Sequence, residues 1–162
     1  ELSRIALHSF LSSLLVFDRP DDGEIRWAGA GHPPGFLWTP AMKPETDRAI
    51  ALPSEGLLLN TGLPTAPRVS QARPRVAGSR LVLYTDGYPE TTNRAGRVFD
   101  PGDEGVEPGG ADRPQTFPEA IRRALLAPGP EEAIRLLEEE RNRFAEGLPS
   151  GDDRAALLAF LL

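Results

Sequence analysis

The sequence has no cysteine and only two histidines, His8 and His32, among its 162 residues. Without cysteine the chain can form no disulfide, no thiolate zinc site and no cysteine nucleophile. Two histidines are also too few for a His-rich metal site. Any metal bound here would therefore be a hard cation with oxygen ligands.

Positive charge and long apolar segments are scarce as well. The chain has 18 basic and 24 acidic residues, which gives a net charge of −6. An acidic chain without a Lys/Arg run is a poor candidate for binding nucleic acid or an anionic membrane surface. No apolar run approaches the length of a membrane span. We therefore expect no membrane span, no signal peptide and a cytoplasmic location.

Strand patterns dominate the first half of the chain. They show period-2 alternation or short apolar runs bounded by turn residues. These patterns lie at residues 9–18, 24–30, 34–40, 69–76, 80–85 and 155–162. Proline demotes the fourth pattern to an edge strand, and the last, a continuous apolar run, predicts a strand buried on both faces.

Two helix patterns follow the first five strand patterns. Thr116 and Glu119 have the spacing of a capping box that opens the first helix, and Pro130 begins the second. Residues 101–115 carry almost no apolar side chains, which predicts a mobile loop. Strands, then a helix pair, then a final strand indicate an α+β layered fold. We expect a single domain over residues 1–162.

Carboxylates flank two of these strands. Asp86 follows the strand at 80–85, and Asp152 and Asp153 precede the final strand. If the two strands are antiparallel neighbours, these carboxylates meet at one edge of the sheet, and a divalent cation is the commonest reason for carboxylates to converge. Gly87 would let ligands and water approach closely. Taken alone, each segment is more often a solvated turn.

Three segments carry a family resemblance. AGHPP at 30–34, YTDGYPETTNRAGRVF at 84–99 and DDRAALLAF at 152–160 resemble the hallmark segments of metal-dependent type 2C (PPM) serine/threonine phosphatases. Within these phosphatases, the chain resembles the bacterial branch whose members are similar to sporulation stage II protein E. The resemblance is to the C-terminal part of the phosphatase domain. TGLPTAP at 61–67 also resembles a Gly-x-Pro segment of that branch.

The resemblance implies a layered α-β-β-α sandwich with two Mn²⁺ or Mg²⁺ ions at one end. It implies a protein phosphatase that hydrolyses phosphoserine or phosphothreonine by attack of a metal-activated water. The implied substrate is a phosphorylated regulatory protein, specifically an anti-anti-sigma factor. Asp86 and Asp152 match metal-binding positions, and no catalytic residue beyond the metal ligands is expected. Further candidates, either as metal ligands or as residues that contact the ligands, are Asp153, Gly87, His32 and Glu90.

Two of these candidates also have structural interpretations. His32 could donate near the metals, but we favour a role in holding the corner at 29–34 through bonds to neighbouring backbone. Glu90 matches a family glutamate, for which we expect a hydrogen bond that holds the loop.

The sequence also departs from the family pattern. Two acidic motifs of the family's N-terminal half are absent, and Ala155 stands where the family usually has threonine. Either an N-terminal portion is missing, which we favour, or the chain is a degenerate, non-catalytic interaction module that binds a partner-switching regulator. In both cases exposed strand edges and apolar faces would favour a homodimer or pairing with the missing N-terminal portion.

Overall fold

The computed structural model describes residues 11–43, 49–59, 71–100, 116–149 and 151–162. The predicted mobile loop at 101–115 and the Gly-x-Pro segment at 61–67 lie outside these residues. No helix in the described part of the chain is long and apolar enough to cross a membrane.

The described residues contain seven strands and two helices, of which six strands and both helices were predicted in this order. They are β1 (Ser13–Arg19), β2 (Glu24–Ala30), β3 (Gly35–Trp38), β4 (Ile50–Leu52), β5 (Gln71–Pro74), β6 (Arg80–Tyr84), α1 (Phe117–Leu126), α2 (Pro130–Ala145) and β7 (Ala156–Phe160). The sequence pattern thus located each predicted strand and both helices, with small differences at their ends.

The strands form two antiparallel sheets. The first sheet has the order β1-β2-β5 and the second the order β4-β3-β6-β7. β1 and β2 make a hairpin through a short 3₁₀ turn at Pro20–Asp22, closed by Gly23 with φ of 65°. That left-handed conformation is easy for glycine and strained for other residues. β5 pairs with β2, and proline ends it at Pro74.

Alternation along the strands separates two apolar cores. Ile25 and Trp27 of the first sheet pack with Leu37 and Leu81 of the second. The other face of the second sheet packs against the helix pair, through a cluster that includes Val82, Tyr84, Phe117, Ile121, Leu125, Leu137 and Phe144. The described residues therefore form three layers, sheet, sheet and helices. This arrangement confirms the α+β layered class, with helices on the second sheet alone within the described part.

Two local expectations were wrong. The Thr116 side chain makes no capping hydrogen bond, and Glu119 forms an ion pair with Arg122 at 2.7 Å instead of closing a capping box. The last strand is not buried on both faces, because Leu157 is 54% exposed. β7 lies at the edge of the second sheet, where an apolar side chain has fewer neighbours to cover it.

Candidate metal centre

The pairing of β6 with β7 sets the position of the candidate site. The two strands are antiparallel neighbours, with Tyr84 opposite Ala156, which meets the condition under which we expected the flanking carboxylates to converge. The ladder extends one step further, because the Thr85 amide donates to the Ala155 carbonyl at 3.0 Å. The residues that follow β6 and those that precede β7 therefore meet at one end of the second sheet.

Three carboxylates come together at this end. Asp86, Glu90 and Asp152 each offer an oxygen, and these three oxygens all lie within 4.8 Å of one another. The Glu90 amide donates to the Asp86 carbonyl at 3.0 Å, so the turn between them is helical and places both side chains on one side. All three carboxylates are exposed. Glu90 thus places its carboxylate beside those of the two aspartates, and the hydrogen bond by which we expected it to hold the loop stays a prediction.

Gly87 lets the two segments touch. A Cβ atom at this position would lie 2.5 Å from the Asp153 carbonyl oxygen and 2.9 Å from Cγ of Arg154. The nearer atom is backbone, which cannot move aside as the end of a flexible side chain can. Only glycine therefore allows the turn after β6 to pack this closely on the segment before β7.

Thr85 ties the second aspartate segment to the sheet. Its hydroxyl accepts a hydrogen bond from the Ala155 amide at 2.9 Å and donates to the Asp153 carbonyl at 3.3 Å. The Asp153 amide in turn donates to Oδ1 of Asp152 at 2.7 Å. Ala155 stands where the resemblance leads us to expect threonine, and here the hydroxyl of Thr85, directly after β6, bonds to this segment. Asp153 makes both of these hydrogen bonds through its backbone, with its carbonyl and its amide.

His32 is held by its neighbours. Nδ1 donates to the Pro33 carbonyl at 2.9 Å, which fixes the proton on that nitrogen because a carbonyl only accepts. The His32 amide donates to the Ser54 hydroxyl at 3.1 Å. Within the described residues, His32 does not belong to the carboxylate group. These bonds agree with the structural interpretation of the corner.

Helix α2 contacts the turn that carries Asp86 and Glu90 through two side-chain hydrogen bonds. The buried Tyr88 hydroxyl donates to Glu138, and burial together with this bond raises the pKa of Tyr88, so the hydroxyl stays a donor. Arg141, 4% exposed, donates from Nε to the Thr91 hydroxyl at 3.3 Å. Burial and the nearby Arg154 lower the pKa of Arg141. No local sequence pattern predicts these contacts, because each joins residues 50 positions apart.

The donor set suits a hard divalent cation. Carboxylate oxygens are the ligands that Mg²⁺ and Mn²⁺ prefer, and three of them can share one cation. The close approach at Gly87 brings the donors from both segments to one place. A centre with two metals needs more ligands than these three carboxylates, so further groups or waters would have to complete it.

Three solved structures with a similar arrangement of sheets and helices are phosphatases or phosphatase domains. The SiaA-PP2C domain of Pseudomonas aeruginosa superposes with a TM-score of 0.67 and 16% identity, over 98% of this chain and 54% of that one. The phosphatase domain of the cell fate determinant SpoIIE from Bacillus subtilis gives 0.58 and 17%, over 99% and 61%. The Mycobacterium tuberculosis serine/threonine phosphatase PstP/Ppp gives 0.53 and 14%, over 93% and 59%.

The molecule therefore has the PP2C phosphatase fold, and the chain spans between 54% and 61% of the length of these three structures. No curated protein sequence matches it. The sequence model of the family described as Stage II sporulation protein E (SpoIIE) matches residues 2–160. This chain belongs to the SpoIIE family, as the hallmark segments predicted.

Proposed function

We propose that this chain is part of a metal-dependent protein phosphatase that hydrolyses phosphoserine or phosphothreonine on a regulatory protein. The observation that carries the proposal is the grouping of Asp86, Glu90 and Asp152 within 4.8 Å, at the end of the sheet where two family segments meet. Membership of the SpoIIE family and the PP2C fold support it.

Each residue at this end has a distinct role in the proposal. Asp86 and Asp152 hold Mn²⁺ or Mg²⁺, with Glu90 as a third ligand. A cation bound there stabilises negative charge on a phosphoryl group and makes a bound water more acidic. Thr85 and Gly87 contribute by keeping the two ligand segments in contact, through the hydroxyl bonds of the one and the missing side chain of the other.

The exposure of the three carboxylates favours a protein substrate. A phosphorylated side chain on a folded or flexible partner can reach an exposed site at the sheet end, whereas a small metabolite is usually enclosed by a pocket. By resemblance, the substrate is a phosphorylated anti-anti-sigma factor, which would place the protein in sigma-factor regulation in the cytoplasm.

A non-catalytic binding module is the second candidate. The small number of ligands supports this candidate. The described residues bring together three carboxylates, whereas a two-metal centre needs more ligands. A degenerate relative could keep the fold and bind the same regulator without hydrolysing its phosphate. Such a module would not depend on Mn²⁺ or Mg²⁺.

The first sheet indicates where more polypeptide would pack. Leu15 and Phe17 on the edge strand β1 are 56% and 55% exposed. The chain spans 54% and 61% of two related domains. We expect the rest of such a domain to cover this face, because exposed strand edges and apolar faces favour pairing. A homodimer through the same face is the alternative outcome, and sedimentation of the chain with and without an upstream extension distinguishes them.

The first experiment is Mn²⁺-dependent hydrolysis of p-nitrophenyl phosphate and of a phosphoserine peptide. It compares the chain, an upstream-extended protein, and Asp86→Asn in both. The matched control is Asp21→Asn, which changes an exposed aspartate in the turn between β1 and β2. We expect Mn²⁺-dependent activity in the extended protein, its loss in Asp86→Asn and its retention in Asp21→Asn.

The outcomes separate the two candidates. Activity that is lost with Asp86→Asn supports the enzyme, whether the chain alone or only the extended protein has it. If neither protein hydrolyses either substrate and calorimetry detects no Mn²⁺ binding, the enzyme proposal is wrong. A retained interaction with a phosphorylated partner would then favour the module.

A further inference from the structure

Arg154 leads from the Asp152 segment to helix α2. Its Cγ lies 2.9 Å from the place that a Cβ on Gly87 would take. Its Cζ lies 6.0 Å from the centre of the Tyr88 ring, and Nη2 lies 3.9 Å from Oε2 of Glu138. The side chain is 24% exposed, and its buried Nη1 has no hydrogen-bond partner among the described residues. Arg154 is therefore packed between the two ligand segments and α2.

Glu138 joins the two ligand segments. One carboxylate oxygen accepts the Tyr88 hydroxyl from the turn that carries Asp86, and the other faces Arg154 from the segment that carries Asp152. Tyr88 is 3% exposed and the Glu138 side chain 34%, so this charge-assisted hydrogen bond is partly shielded from solvent. A movement of Glu138 would act on both segments together.

A second contact lies one turn further along α2. Arg141 donates to the Thr91 hydroxyl, which itself donates to the Gly87 carbonyl at 3.0 Å. Thr91 follows Glu90 directly and is 6% exposed. The helix thus contacts the turn from Asp86 to Thr91 at two points, although none of the three carboxylates belongs to α2.

We propose that Tyr88 and Glu138, together with Arg154, are positioning residues through which helix α2 sets the affinity of the candidate centre for divalent cations. This inference rests on the proposed function. Metal ligands must be held to about 0.5 Å for tight binding, and loss of a group that orients ligands typically weakens metal affinity about 10–100-fold. Tyr88 and Glu138 are such groups, because the hydrogen bond between them fixes the turn from Asp86 to Glu90.

The test is a calorimetric titration with Mn²⁺, made on the chain and on the upstream-extended protein. Tyr88→Phe removes the hydroxyl and keeps the ring, and Glu138→Ala removes the shared carboxylate. The control is Glu139→Ala, whose side chain is exposed and pairs with Arg135 on the same helix. We expect the Mn²⁺ dissociation constant to rise about tenfold or more in the two test variants and to stay within about twofold in the control.

Amide hydrogen exchange in EDTA gives a second readout that needs no metal. The Glu90 and Thr91 amides donate to the Asp86 and Tyr88 carbonyls, so their exchange reports on the turn. We expect faster exchange there in Tyr88→Phe and Glu138→Ala and no change in Glu139→Ala, with urea unfolding in EDTA recording global stability. A uniform increase across the sheet would indicate a general loss of stability and overturn the positioning role.

The outcomes separate the inference from the function. If both wild-type proteins bind Mn²⁺ and the two test variants bind it equally well, the inference is wrong and the proposed function stands. If neither wild-type protein binds Mn²⁺, both are wrong.

Discussion

The two outer faces of the sandwich differ sharply in cover. On the second sheet, Phe117 of α1 is fully buried, with its ring centre 4.6 Å from that of Tyr84 in an edge-to-face contact. On the first sheet, Leu15 and Phe17 are 56% and 55% exposed. The outer face of the second sheet is covered by the helices and forms an apolar core. The outer face of the first sheet exposes large apolar side chains of the kind that this core buries. We call the helix-covered face of the second sheet the covered side, and the face with Leu15 and Phe17 the bare side.

The candidate site belongs to the covered side. Tyr84, which packs under α1, is the last residue of β6 and is followed by the turn that carries Asp86. That turn is held by Ala155, which directly precedes β7, and by Glu138 of α2. These contacts are therefore made on the side of the second sheet, and within the described residues no helix lies on the first sheet. Substitutions on the covered side should lower both stability and metal affinity, whereas those on the bare side should change neither.

The largest effect is expected from Phe117→Ala. Removing this fully buried ring leaves a cavity under Tyr84, between α1 and β6, and Phe-to-Ala changes in cores cost about 3–5 kcal/mol. Urea unfolding followed by far-UV circular dichroism measures the loss. A change of less than about 1 kcal/mol would mean that the helix layer is loosely packed, and the contrast between the two faces would disappear.

Gly87→Ala should have the next largest effect. Its Cβ would meet the Asp153 carbonyl oxygen at 2.5 Å, so the two ligand segments must separate. We expect a loss of about 1–3 kcal/mol in stability, as for other forced overpacking, together with weaker Mn²⁺ binding in calorimetry. Gly151→Ala is the matched control, because no atom lies within 4 Å of its added Cβ. Equal effects at the two glycines would contradict the close-approach argument.

Most of the fold and the core of the candidate site followed from local sequence patterns. The alternation in β2 and the apolar run of β6 located both strands. The positions of Asp86 after one strand and of Asp152 before another predicted that they would meet if those strands paired, and the strands do pair. The burial of β7 was mispredicted, because exposure depends on the neighbours across the sandwich and not on the apolar run itself. The Tyr88–Glu138 bond was also missed, because it joins an apolar turn residue to a helix whose acidic run is typical of a solvated face.

Thr85→Val should have a moderate effect. The substitution keeps the shape and removes the hydroxyl that bonds to the Ala155 amide and the Asp153 carbonyl. Leaving these groups without their partner should cost about 1–2 kcal/mol. Thermal unfolding measures the loss, and Thr85→Ser, which keeps the hydroxyl, should retain most of the stability. If serine and valine are equally destabilising, the methyl group and not the hydroxyl is what matters at this position.

The smallest effect is expected on the bare face. Phe17→Ala removes a side chain that is 55% exposed, so urea unfolding of the chain should change by less than about 0.5 kcal/mol. In an upstream-extended protein that covers the first sheet, the same substitution should cost about 2 kcal/mol or more, because the ring would then be buried. Asp21→Asn in the neighbouring turn should stay neutral in both proteins. A Phe17 effect that is equally small in the extended protein would show that its additional residues leave this face open, and the contrast between the two faces would then be a permanent feature of the domain.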